Sequence, residues 1–179
     1  MNIREELLKY TAQSKEQALR IAEYASFSED NFRELIACFV DDDIRLAQRA
    51  AWSVNWAAQK KPLAVQPYIG SLVNQLKRTD VHHAVIRNSL RVLDDLKLPE
   101  QFHGEVLDSC FGFVQNRDTP VAIKAFSLKI LFSLSQVYPE IKNELKVIIQ
   151  EKMDYESAAF RSRGRKILDR IEKTHTLQA

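Results

Sequence analysis

The stretch Asp41-Asp42-Asp43-Ile44-Arg45-Leu46-Ala47-Gln48-Arg49-Ala50-Ala51-Trp52-Ser53-Val54 decides how this chain folds. Three acids mark a turn. Behind them Ala47, Ala51, Val54 and Ala58 recur at the spacing that places residues on one face of an α-helix, a small-residue stripe suited to close helix packing. Arg45, Arg49, Trp52, Trp56 and Gln59 fall on the opposite side. The segment predicts a helix over 44–60, ended by Pro62, whose missing N–H suits the first turn of a following helix.

Working outward, the same signature returns. An acidic turn residue followed six or seven positions later by a base occurs as Asp43…Arg49, Asp80…Arg87, Asp118…Lys124 and Asp154…Arg161, in copies 36 to 38 residues apart. Pro62, Pro99 and Pro139 recur at the far end of the unit. A period of this length marks a repeat architecture. Each unit reads as helix A, acidic turn, helix B and a proline-marked turn. The A helices are expected at 29–40, 66–78, 100–115 and 139–152, and their B partners at 44–60, 81–97, 120–137 and 155–173. A shorter pair at 3–12 and 15–25 precedes them. Ser14-x-x-Gln17 and Ser26-x-x-Glu29 have the form of capping boxes, and Thr119-Pro120 that of an N-cap followed by proline.

The 41–54 segment, followed by Pro62 and Pro67 ahead of Tyr68-Ile69-Gly70-Ser71-Leu72-Val73, resembles the HEAT repeat of the armadillo-type superfamily. The likeness covers nearly the whole chain. It implies an all-α fold, a right-handed α-α superhelix of about five stacked helix pairs whose B helices line the concave face. The expected organisation is a single domain over 1–179, with capping helices at 1–25, repeats at 26–60, 61–98, 99–138 and 139–174, and a frayed tail at 175–179. The arginine usual two residues after the acidic turn is not kept at a constant position, which implies irregular packing between repeats. Stacking makes continuous a core that no single pair can bury alone.

Carrying the outward stripe along the B helices defines a candidate concave ridge. It holds Arg45, Arg49, Trp52 and Trp56, then His83, Arg87, Leu90, Asp94 and Lys97, then Phe126, Lys129, Ser133 and Gln136. In the last pair Phe160, Gly164, Ile167, Leu168 and Ile171 read as the core side, which leaves Arg163, Lys166, Arg170 and Lys173 opposite. The ridge is mixed at its N-terminal end and basic at its C-terminal end. The tryptophans are open to two readings, as binding anchors or as side chains packed under a neighbouring repeat.

Composition excludes several classes. The chain has 179 residues, 45% hydrophobic and 28% charged, with a net charge of only +2, too small to imply a partner by itself. Charges in Met1-Asn2-Ile3-Arg4-Glu5-Glu6 stand where a signal peptide needs an apolar core. The most apolar stretch, Ile123 to Val137, is interrupted by Lys124 and Lys129 and is short of the ~20 apolar residues of a membrane span. Cys38 and Cys110 lie far apart in apolar settings and read as two buried free thiols of a cytoplasmic protein.

Catalytic signatures fail on residue type or spacing. There is no H-E-x-x-H, C-x-x-C or G-x-S-x-G motif and no glycine-rich phosphate loop. His82 and His83 point about 100° apart on a helix and so do not share a metal, and His103 and His175 stand alone. The helical lyases of the fumarase type need a longer chain and a serine-rich catalytic loop that is missing here. The alkylpurine DNA glycosylases, also built from HEAT-like repeats, place a tryptophan four residues before an aspartate and an arginine about one repeat later; the corresponding positions hold Leu90, Asp94 and Lys129, so only the aspartate matches. The reading that remains is a scaffold without catalytic residues, metal or cofactor, docking a protein or peptide. A nucleic-acid-binding module is the alternative, and no membrane partner is expected.

Overall fold

The computed structural model describes residues 1–176, with side chains through Lys173. Of the tail expected at 175–179, residues 177–179 lie outside the described residues, as does the side chain of His175. All regular structure among the described residues is helical, and it divides into two compact units, one over residues 1–102 and the other beginning at His103.

In the first unit, α1 (Ile3–Leu8), α3 (Glu29–Phe39) and α6 (Ile69–Leu76) alternate along the chain with α2 (Lys15–Ala25), α4 (Ile44–Lys60) and α7 (His83–Asp95); a short α5 (Pro62–Val65) and a 3-10 turn at Gln66–Tyr68 lead into α6. Each of α3–α4 and α6–α7 is a packed pair, and α2, α4 and α7 form a second layer in which α4 touches both others. The caps explain the edges. Asp43 accepts from the N–H groups of Arg45 and Leu46 at 2.9 and 3.0 Å, and Ser14 accepts from Gln17 at 3.0 Å, each satisfying donors a helix start leaves open. Ser26 does not open α3 as expected: it closes α2, with its hydroxyl on the Ala22 carbonyl at 2.7 Å, and Ser28 supplies the cap by accepting from Asn31. The helix expected at 66–78 is divided into the 3-10 turn and α6, which ends at Leu76.

The core of this unit is apolar and tight. Phe32, Leu35, Phe39, Leu46, Ile69 and Leu72 are fully buried, each adding roughly 1.5–3 kcal/mol by leaving water. The stripe Ala47, Ala51, Val54, Ala58 is buried as its spacing requires. Leu90, assigned to the outward ridge, is instead completely buried, because α7 is covered by both α4 and α6.

The second unit repeats the plan. Here α8 (His103–Gln115) pairs with α9 (Val121–Leu134), α10 (Ile141–Lys152) pairs with α11 (Ala158–Thr176), and α9 packs on α11. Thr119-Pro120 opens α9 one residue later than expected, with Pro120 at the cap and no side-chain hydrogen bond there. Phe160, Gly164, Ile167 and Ile171 face inward, while Leu168 is half-buried. Gly164 is required where it stands: a Cβ on it would meet the Ile149 side chain at 2.8 Å, so α11 approaches α10 too closely for a larger residue. Cys38 and Cys110 are both buried thiols outside any disulfide, and burial pushes the Cys38 thiol up to about 11.

Candidate binding clefts

Two clefts gather most of the ridge residues, one in each unit. In the first unit a cleft of about 460 Å³ is lined by Arg45, Arg49, Trp52 and Arg87, together with the side-chain amides of Gln13, Gln48 and Asn88. In the second, a cleft of about 480 Å³ is lined by Lys129, Arg163, Lys166 and Arg170, with Phe132 and Ile167 as apolar wall. Neither lining contains a carboxylate. His83, Asp94, Trp56 and Phe126 are left out of both.

Helix periodicity makes the first cleft. Arg45, Gln48, Arg49 and Trp52 lie three, four and seven apart along α4, and Ala84, Arg87 and Asn88 take the facing positions on α7. Arg49 does not face solvent as the outward stripe expected. It is 6% exposed, and its guanidinium donates to the carbonyls of Leu7 and Tyr10 at 2.7 and 2.8 Å and of Thr11 at 2.6 Å. The physical reason is that α4 is sandwiched between α2 and α7 and also meets α1 and α3. No face of it is wholly free. Arg49 therefore ties down the chain leaving α1, whose carbonyls have no partner further along the helix. Burial pushes the Arg49 guanidinium down from its ordinary value, and the like charge of Arg45 adds to the effect.

Arg45 is exposed and donates to the Tyr10 carbonyl at 2.9 Å. Arg87 is exposed, with no hydrogen bond or ion pair among the described residues. Trp52 is half-buried in the cleft wall. Trp56 is likewise half-buried, with the Lys15 ammonium of α2 5.3 Å from its ring centre and its indole N–H buried without a partner.

In the second unit Lys129, Lys166 and Arg170 are exposed and Arg163 is half-buried, and the Arg170 guanidinium lies 5.8 Å from the Phe132 ring centre, within cation–π range. The aromatic in this cleft is Phe132, three residues after Lys129, rather than Phe126. That i, i+3 spacing was the available signal, as was Gln48 between Arg45 and Trp52 for the amide of the other cleft.

His82 caps α7, its Nδ1 accepting from the Ala84 N–H at 3.1 Å, and its ring stands nearly perpendicular to that of His83. His103 Nδ1 lies 3.0 Å from the Tyr138 hydroxyl. No group of three His, Cys, Asp or Glu residues suited to a metal occurs among the described residues, and none of their helices is long and apolar enough to cross a membrane. The core position of Leu90 leaves the glycosylase comparison without a side chain to stack on a base.

A family model described as a HEAT repeat domain matches residues 3–171. No curated protein and no solved structure matches the chain.

Proposed function

The chain belongs to the HEAT repeat family, and from that premise we propose that it is a binding scaffold, without catalytic residues of its own, that docks a protein or peptide segment on its B-helix surface. HEAT repeats commonly serve as protein-interaction scaffolds. The observation that carries the reading is the first-unit cleft, where half-buried Trp52 stands beside Arg45 and Arg87 with no carboxylate in the lining. Tryptophan and arginine dominate interface energetics because one offers large rigid area and the other directional charged donors. A cytoplasmic setting suits the thiols of Cys38 and Cys110, which lie outside any disulfide.

Capture from native lysate on immobilised protein, with and without nuclease, tests the reading. Partners should survive nuclease, and Trp52→Ala should weaken a captured partner by about 2 kcal/mol or more. A second reading, nucleic-acid binding, is favoured by Lys129, Arg163, Lys166 and Arg170 beside Phe132, a set of bases with a stacking ring. Its signature is a log affinity that falls with log salt by about 0.9 per duplex phosphate contacted. Loss of every captured partner to nuclease would replace the first reading by the second.

A further inference from the structure

The arginines of the first-unit cleft carry more charge than a scaffold needs to hold itself together. Arg49 is spent internally, on three carbonyls, but carbonyl dipoles disperse a cation without cancelling it. Arg45 shares two of those carbonyls through a single nitrogen and keeps the rest of its donor fork unused, and Arg87 uses none of its donors among the described residues. Three guanidinium groups thus line about 460 Å³ with no acid among them, although acidic and basic side chains are equal in number over residues 1–102. The excess is local.

A local excess selects the kind of anion. A nucleic-acid strand lays charge along its whole length, and this balanced unit would set its acids, among them exposed Asp42 and Asp43 at the head of α4, against that strand. A single compact anion meets only the cleft. One carboxylate is satisfied by one guanidinium fork. A phosphoryl group, with close to two negative charges and three acceptor oxygens, matches several forks at once. Trp52 and Gln48 in the same wall suit a polypeptide carrying that group, since a ring packs on its side chains and an amide bonds its backbone.

Resting on the scaffold reading, we infer that the cleft between α4 and α7 receives a phosphorylated serine or threonine of a docked peptide, with Arg45 and Arg87 gripping the phosphoryl group beside Trp52. Arg49 is a positioning residue that holds the α1–α2 turn against the cleft and adds to its field.

The chain contains two tryptophans, one in the cleft and one outside it, so the isotope-labelled full chain carries its own reference for a nuclear magnetic resonance titration. The probe is a blocked glycine-alanine peptide around one phosphoserine. Its comparators are the same peptide with serine or glutamate, inorganic phosphate, and a short oligothymidylate. The Trp52 indole N–H and the Gln48 and Asn88 amides should shift and the Trp56 indole N–H should stay. The phosphopeptide should bind about tenfold or more tightly than the serine and glutamate peptides, and several-fold more tightly than phosphate. Arg87→Gln and Arg45→Gln, both at exposed positions and checked for unchanged helicity, should each weaken it about tenfold. Equal binding of the serine peptide, a phosphate as tight as the phosphopeptide, a preference for the oligothymidylate, or indifference to both substitutions would overturn the inference. Should that happen while nuclease-resistant capture through Trp52 persists, the scaffold reading stands and only the phosphoryl site falls; loss of both removes both.

Discussion

Arg49 in the first unit and Lys124 in the second occupy matching places in the repeat, six residues behind an acidic turn, and both are buried, yet their charges are met differently. Arg49 is held by three backbone carbonyls and no carboxylate. Lys124, 2% exposed, donates to the Arg117 carbonyl at 3.1 Å and pairs with the Glu156 carboxylate, which is itself nearly buried. Both of these bases are thus structural fasteners, reaching helix ends and turns whose carbonyls would otherwise lack partners, whereas Arg87, at the matching place after Asp80, is exposed and bonds nothing among the described residues. Lys124 is neutralised by a carboxylate of its own unit, whereas Arg49 lines a cleft that holds no acid.

The largest expected effect tests the neutralised case. Lys124→Ala strands a nearly buried Glu156 and should cost about 3–5 kcal/mol, read as a lower urea midpoint. Glu156→Gln leaves Lys124 among neutral acceptors only, the condition Arg49 already meets, and should cost less than Lys124→Ala. If the two variants cost the same, the distinction between paired and unpaired fasteners is wrong. Arg49→Met removes three charge-assisted hydrogen bonds and should cost roughly 2–3 kcal/mol, with hydrogen exchange quickening first in α1. The exposed Arg87→Glu should stay within about 0.5 kcal/mol. A large cost at Arg87 would mean that the cleft arginines are all structural.

How far these roles were legible depends on which neighbours decide them. The bounds of α4 could be read because a side-chain cap at Asp43 and a proline at 62 act within one turn of the helix ends. Ser26 and Ser28 both precede an acidic residue suitably, and only the path of the chain out of α2 chooses Ser28. Arg49 and Leu90 were assigned to the open side because periodicity tells which residues share a face, and says nothing of which helices cover that face. A helix in the middle of a layer is covered on several sides; α4 buries ten of its seventeen residues. In α11, which packs on α9 and α10, Lys166 and Arg170 are exposed and Arg163 is half-buried.

Close approach of helices differs between the units as well. In the first it is achieved with alanines along α4, and in the second with Gly164 against Ile149. Gly164→Ala should therefore destabilise by about 1–2 kcal/mol, the overpacking cost exceeding the gain in helix propensity. Gly112→Ala, in α8 with open space around the new methyl group, should stabilise by about 0.5–1 kcal/mol. A thermal melt of the two variants checks the contrast; equal shifts would mean that α10 and α11 are less tightly packed than the structure has them.

The smallest effect concerns a fastener at the surface. Arg78 reaches toward the carbonyl of Val40 at the end of α3, at 3.4 Å, and is clasped by Asp80 through two hydrogen bonds of 2.7 and 2.9 Å, with Asp42 a third acceptor at 2.9 Å. The hydrogen bonds from Arg78 hold the Asp80 carboxyl down to about 2, against an ordinary value near 3.9. A carboxyl depressed in the fold favours the folded state above its unfolded value and loses that contribution as pH falls through the folded one. The contribution is therefore whole above about pH 4 and gone below about pH 2. Asp80→Asn should leave stability less steeply dependent on pH across that window, while above it the variant differs by a small, salt-sensitive amount, since exposed ion pairs are screened. Urea midpoints at several pH values, wild type against variant, measure it. Parallel curves would mean that Asp80 and Arg78 do not stay clasped in solution.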